Sequence, residues 1–151
     1  MDGSSRDRAV QDLLAAVVGL VANWTAVSTQ GSVARAVGVD VPAGDVRALY
    51  TLGLHGGVIR PATLADELAQ SRPTTSKLIA RLEAAGLVRR ERGDGDGRAV
   101  EIALTDAGAD AYARLVAAGA AMVDQAMADK TTSEIDVITE ASRRLTGEFR
   151  E

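Results

Sequence analysis

The 151-residue chain has no cysteine, so no disulfide braces it and no thiol serves as a redox sensor. A single histidine and no cysteine are poor material for a zinc site, and neither a metal nor a cofactor is expected. Aromatic residues are scarce, with one Trp, one Phe and two Tyr. The core must therefore come from Ala, Val and Leu, small side chains that let helices approach closely and often leave a second subunit to complete the packing. A positively charged leader is also missing, because Asp2, Asp7 and Asp12 interrupt the start. The longest uncharged run is Leu13 to Ala34. Its apolar part, Leu13 to Val27, would form about 22 Å of helix, short of the roughly 30 Å hydrocarbon layer. A buried helix and a cytoplasmic protein are expected, with no membrane association.

Enzyme signatures are missing as well. No phosphate loop, nucleotide fingerprint or nucleophile elbow falls on suitable elements. Gly93 to Gly97 has the look of a calcium loop but lacks its third ligand spacing and distal glutamate, and Arg98 follows directly. The carboxylate pairs Glu91/Asp96 and Asp66/Glu67 fall on a turn-flanked ribbon and a helix surface, where solvation explains them. No catalysis is expected.

What the chain does have is concentrated between Thr63 and Leu104. A short helix over Ala62 to Leu68 leads through the corner Ala69-Gln70-Ser71 into a second helix, Arg72 to Ala85. Ser71 suits an N-cap, Pro73 tolerates the first turn, and Gly86 ends the helix as a residue at ease in the left-handed region. At 100° per residue, Leu78, Leu82 and Ala85 share one side, with Thr75 and Ile79 at its margin. Pro73, Lys77, Arg81 and Ala84 occupy another, flanked by Thr74, Ser76 and Ala80. Oil lies on one face; cations, hydroxyls and small groups lie on the other.

Two cations one turn apart are ordinarily just a solvated helix face. Three features weigh against that here. The helix–corner–helix order matches the helix-turn-helix, whose second helix enters the major groove, with Leu64, Ala65 and Leu68 holding the first helix in place. A ribbon follows: Leu87 to Arg92, a Gly/Asp turn, then Arg98 to Leu104. In its second strand Val100, Ile102 and Leu104 alternate with Ala99, Glu101 and Ala103. This is a wing with arginines on both strands. Finally, Ser71 to Arg98 carries seven cations against four acids, a local +3 on a chain whose net charge is −4. A basic island on an acidic protein is the footprint of phosphate contact.

The ordered set Leu64-Ala65, Ser71-Arg72-Pro73-Thr74, Leu82-Glu83-Ala-Ala-Gly86-Leu-Val-Arg89, Asp96-Gly-Arg98 and Leu104-Thr105-Asp-Ala-Gly108 resembles the motif run of the multiple-antibiotic-resistance regulator (MarR) family. The match in order and spacing covers about a third of the chain. Two positions depart from the pattern: Ala69 stands where a turn glycine is common, and Gln70 where an apolar residue is common. The resemblance implies a winged-helix homodimer that represses or activates genes and is often released by a small phenolic or anionic ligand. It also implies that Asp96 and Arg98 shape the wing, with Arg98 reaching the minor groove. Lacking cysteine, the chain cannot belong to the family's thiol-based peroxide sensors.

Around this segment, residues 1 to 8 are polar and read as a flexible start. The helix from Val10 to Trp24 is apolar nearly all round, which implies a partner, most simply a second copy. Gln30 to Asp40 reads as an irregular link or short helix, and Val41-Pro42 opens a helix through Asp45, Val46, Leu49, Tyr50 and Leu52. Thr105 caps a long, small-sided helix to about Asp129, and the capping box Thr131-Thr-Ser-Glu134 starts the last one. The fold class is mainly α with a two-stranded β wing: a winged helix-turn-helix over 41–104 and a helical dimerisation region over 1–40 and 105–151.

The expected function is a homodimeric transcriptional regulator of double-stranded DNA with a pseudo-palindromic operator. Its expected DNA contacts are Arg72, Pro73, Thr74, Ser76, Lys77, Arg81, Arg90, Arg92, Asp96 and Arg98. Trp24, Arg47, Tyr50 and His55, the few large aromatic or polar groups on the junction helices, are the candidates for binding a small aromatic or anionic effector. Packing and surface roles explain these four equally well. The alternatives are a constitutive, architectural DNA-binding protein and a winged-helix adaptor that binds other proteins.

Overall fold

The computed structural model describes residues 3–95 and 99–148. In chain order they form α1 (Gly3–Thr25), α2 (Val27–Ala36), a 3-10 turn (Ala43–Asp45), α3 (Val46–Leu54), β1 (Val58–Ile59), α4 (Pro61–Glu67), α5 (Arg72–Ala84), β2 (Val88–Arg92), β3 (Val100–Leu104), α6 (Asp106–Ala126) and α7 (Thr132–Glu148). The chain divides into two compact units, Met1–Val116 and Ala117–Glu151, and α6 contributes to both.

The first unit has a closed core. Leu49 and Leu52 of α3, Leu64 of α4, Leu78, Ile79 and Leu82 of α5, Ile102 of β3 and Leu115 of α6 are all essentially inaccessible. The strands form an antiparallel sheet in the order β1-β3-β2, with Val88 opposite Leu104 and Arg92 opposite Val100. The expected ribbon had two strands; a third, β1, pairs Val58 with Ala103 and Ile59 with Ile102. Two residues are too few to show a period of two, so β1 left no pattern in the sequence. Ile102 is buried as the alternation requires, but Ala103 is buried too and Val100 is exposed: Ala103 lies mid-sheet between Val58 and Arg89, and Val100 lies near the wing turn.

The helix-turn-helix forms at the expected place. Leu64, Ala65 and Leu68 are buried, and the corner turns at Ala69 in the left-handed region, φ 51°. The Ser71 hydroxyl accepts from the Thr74 amide at 3.2 Å, and Gly86 closes the segment at φ 75°. Ala85, expected on the oily side, is the exposed C-cap instead. Thr75, expected at the margin, is buried, and its hydroxyl donates to the Ser71 carbonyl. The Thr105 hydroxyl donates to the Gly86 carbonyl at 2.6 Å and accepts from the Gly108 amide at 3.1 Å. It thereby joins the end of α5 to the start of α6.

The front of the chain differs from expectation. The polar start is already helical at Gly3; its charged residues are compatible with a solvated first turn. The long uncharged run breaks at Ala26, whose extended backbone (φ −60°, ψ 132°) ends α1 and starts α2 three residues before the expected link. Within the chain α1 is not buried: Leu14 is 54% and Leu20 66% exposed. No single described helix is long and apolar enough to cross a membrane; α1 and α2 pass that test only as a pair bent by 56°.

The second unit holds the end of α6 and all of α7. The capping box closes reciprocally. Glu134 accepts from the Thr131 amide at 2.8 Å, and the Glu134 amide donates to the Thr131 hydroxyl at 3.3 Å. Within α7 the Ser142 hydroxyl donates to the Ile138 carbonyl one turn back, at 2.8 Å. No described residue of α7 is buried, and Val137 and Ile138 stand exposed, as do Met122 and Val123 of α6.

Candidate nucleic-acid interface

One face of α5 is sealed by the core, so the opposite face is fixed in the open. Arg72, Pro73, Thr74, Ser76 and Lys77 are all exposed on its first half. The Thr74 hydroxyl lies 2.8 Å from that of Ser71, so the cap and the exposed hydroxyl form one hydrogen-bonded unit. Among the described residues no acid lies within ion-pair distance of Arg72 or Lys77. Two cations thus stand beside three hydroxyls around a helix N-terminus, whose dipole adds partial positive charge.

Arg81 is placed differently from its neighbours. Its Nε donates to Asp45 Oδ2 at 2.8 Å and its Nη2 to Oδ1 at 2.7 Å. The Asp45 carboxylate is buried, with a side chain only 3% exposed against 48% for Arg81. This hydrogen bond, reinforced by the opposite charge, raises the arginine's already high pKa further.

Among the described residues the wing carries its cations on β2. Arg90 pairs with Glu83 at 3.3 Å, and Arg89 pairs with Glu91 at 3.1 Å while donating to the Leu104 carbonyl at 2.9 Å. Arg92 is exposed at the end of the strand. Asp96 and Arg98, expected to shape the wing tip, lie outside the described residues.

Of the four expected effector residues, two come together. The rings of Trp24 and Tyr50 lie 6.2 Å apart, tilted by 56°. Tyr50 donates to the Leu115 carbonyl at 3.0 Å, and burial first, then the neighbouring Tyr112 phenol, push its pKa up. Arg47 is exposed on α3, and His55 faces Glu67 at 3.6 Å. Tyr112 was not anticipated. It packs edge-on to Tyr50 at 6.4 Å and lies so close over Gly53 that an added Cβ there would overlap its ring. An open cleft of about 340 Å³ adjoins it, lined by Gly53, Gly57, Arg89, Leu104 and Tyr112 among others, and by none of the four expected residues. The signal for Tyr112 was present in its spacing: it adjoins Ala111 and precedes Leu115, both buried. Among the described residues no three His, Asp or Glu side chains gather as a metal site.

The capped helix, its tight corner and the antiparallel wing define a winged helix-turn-helix. The sequence model of the MarR family matches residues 29–99. No curated protein matches the chain by sequence. A MarR family protein from Bacillus stearothermophilus has a similar structure, with a TM-score of 0.78 at 21% identity over 96% of this chain and 98% of that one. RV1404 from Mycobacterium tuberculosis has a TM-score of 0.66 at 26% identity over 93% and 92% of the two chains. NadR, solved in complex with 4-hydroxyphenylacetate, has a TM-score of 0.64 at 22% identity over 85% and 89%. Over residues 29–99 the sequence matches the MarR family model, and over nearly its whole length the chain has the fold of MarR-family structures.

Proposed function

We propose that the protein is a cytoplasmic transcriptional regulator and not an enzyme, acting as a homodimer on double-stranded DNA. The observation that carries this reading is the exposed first half of α5, opposite a face buried by Leu78, Ile79 and Leu82. Each copy places Pro73 to Lys77 in a major groove. Two copies address half-sites about 34 Å apart on a pseudo-palindrome. Thr74 and Lys77 meet base edges, and Arg72 and Ser76 meet phosphates or bases. Arg90 and Arg92 lie nearer the backbone. The family resemblance supports Arg98, positioned with Asp96, as the minor-groove residue.

The exposed apolar side chains of α1 and α7 support the dimer, since a single chain leaves them in water. On this reading, 1–40 and 105–151 form the dimerisation region and 41–104 the DNA-binding domain.

The test is an operator selected from a random duplex pool and measured by fluorescence anisotropy. A groove base contact contributes about 1–3 kcal/mol, so Lys77→Ala should weaken binding roughly ten- to hundredfold and relax sequence preference. Binding should also fall steeply with salt. Parental affinity in Lys77→Ala, or indifference to salt, sinks the docking.

A small aromatic acid is the proposed effector, and repression its output. Support comes from the Trp24–Tyr50–Tyr112 cluster and from NadR, solved with such an acid bound. Aromatic acids that raise the melting temperature should also release the operator. A panel that stabilises the protein while leaving DNA bound favours a constitutive DNA-binding protein.

A further inference from the structure

We propose that Arg81 is a positioning residue of the recognition helix and not a DNA contact: its forked pair with buried Asp45 sets the rotation of α5, and so the aim of Lys77. The inference rests on the DNA-binding reading above and changes the role of one residue within it.

Asp45 is 2% exposed. A carboxylate out of water must be paired and hydrogen-bonded, and among the described residues Arg81 supplies both bonds its oxygens accept. Two parallel bonds fix the plane of the guanidinium as well as its distance. The fork takes two of the guanidinium's five N–H donors, and Arg81 cannot swing toward a phosphate and keep both bonds. Releasing it would leave an uncompensated charge inside the protein, the costly way to break such a pair.

The anchor is itself immobilised. Asp45 ends the 3-10 turn, with its amide bonded to the Pro42 carbonyl at 2.8 Å, and Val46 beside it is fully buried. On the other side Ala43 packs on α2 at Gly31, where an added Cβ would come within 2.9 Å of the Ala43 Cβ. The turn therefore has no slack.

Arg81 follows Lys77 by one helical turn on the same stripe. The buried leucines hold α5 down, but apolar contact is non-directional and tolerates rotation. The forked ion pair does not. A base contact requires its supporting element to be held to about 0.5 Å and 10–20°, and Arg81–Asp45 ties α5 directionally to a separate element, one turn from Lys77.

The experiment uses the full chain and the duplex it selects. Arg81→Lys keeps the positive charge and loses the fork; Asp45→Asn keeps the shape and frees the arginine. Operator and non-operator affinities are measured with the active fraction fixed by stoichiometric titration, together with the dependence on salt. Positioning predicts that both variants lose about tenfold on the operator, the scale of one weakened base contact. Non-operator affinity and the salt slope of Arg81→Lys should stay parental, because no phosphate contact is lost. A role in stability alone would lower the active fraction and leave the affinity of the active protein unchanged, which overturns the proposal. So does Arg81→Lys binding like the parent, Asp45→Asn binding as tightly or more tightly, or Arg81→Gln lowering the salt slope by about one. If Asp45→Asn does not fold by circular dichroism, Arg81→Lys decides alone. A parent that selects no duplex removes the DNA reading and this inference together; a parent that binds, with variants that match it, removes this inference only.

Discussion

The winged-helix segment and the helix α7 are made from similar side chains and reach opposite ends. In the first, leucines from four elements and Ile102 close on one another until none is accessible. In the second, seventeen residues with apolar groups at helical spacing leave every side chain at least partly exposed; α1 is likewise open, although its middle is uncharged. Apolar content alone does not make a core. A core needs surfaces that converge from several directions, which four helices and a sheet provide and a lone amphipathic helix does not. The first region is self-sufficient; the second presents its greasy side to whatever covers it.

The sharpest way to separate the two is a pair of truncations. Leu82→Ala should cost about 2–5 kcal/mol through the cavity it leaves, and the loss should be the same at any protein concentration. If the surface that covers α1 lies on another copy, as proposed, Leu14→Ala should leave the winged helix intact and give a loss relative to the parent that shrinks on dilution, because the parent forfeits the same contact once it dissociates. Urea melts at two concentrations a hundredfold apart would show it. A concentration-independent Leu14→Ala would mean that α1 is covered from within, and the contrast would fail.

A smaller effect probes how well the self-sufficient region is built. Ala69 holds a left-handed conformation that costs a residue with a Cβ about 1–2 kcal/mol. Glycine removes that strain but adds freedom to the unfolded chain. Ala69→Gly should therefore raise stability by somewhat under about 1 kcal/mol, seen as a higher melting temperature with unchanged DNA affinity. A lower melting temperature would show that the corner is not strained.

The smallest effect belongs to α7. Its capping box holds the Glu134 carboxyl below the usual range, through the Thr131 amide first and the Thr131 hydroxyl second. Because the folded value is depressed, the cap's contribution is fully present above the unfolded carboxylate's pKa and is lost as pH falls through the lower folded one. Helicity should decline over that acidic window, and Glu134→Gln should flatten the decline. A variant with the parental acid profile would place the transition in other carboxylates.

What could be read in advance followed from local rules. The Ser71 cap, the Gly86 stop and the Thr131 box depend on residues three or four apart, and each formed where its spacing indicated. Residues paired across the fold were harder to see. Arg81 lies on the cationic stripe by helical geometry, and only the fold brings Asp45, thirty-six residues earlier, beneath it. The strand β1 owes its existence to the exposed edge of β3, and Tyr112 its place to the space above Gly53. Spacing along a chain reports what a helix or cap will do, and says little about which distant carboxylate meets which arginine.

The meeting of Trp24 with Tyr50 gives the molecule a built-in optical probe. The chain has only one indole, seated where α1 ends and leaning on α3. Its emission will report on that junction alone, with no background from elsewhere. Any compound that wedges the rings apart, or any duplex that shifts α3 under them, should change colour or brightness in unlabelled protein.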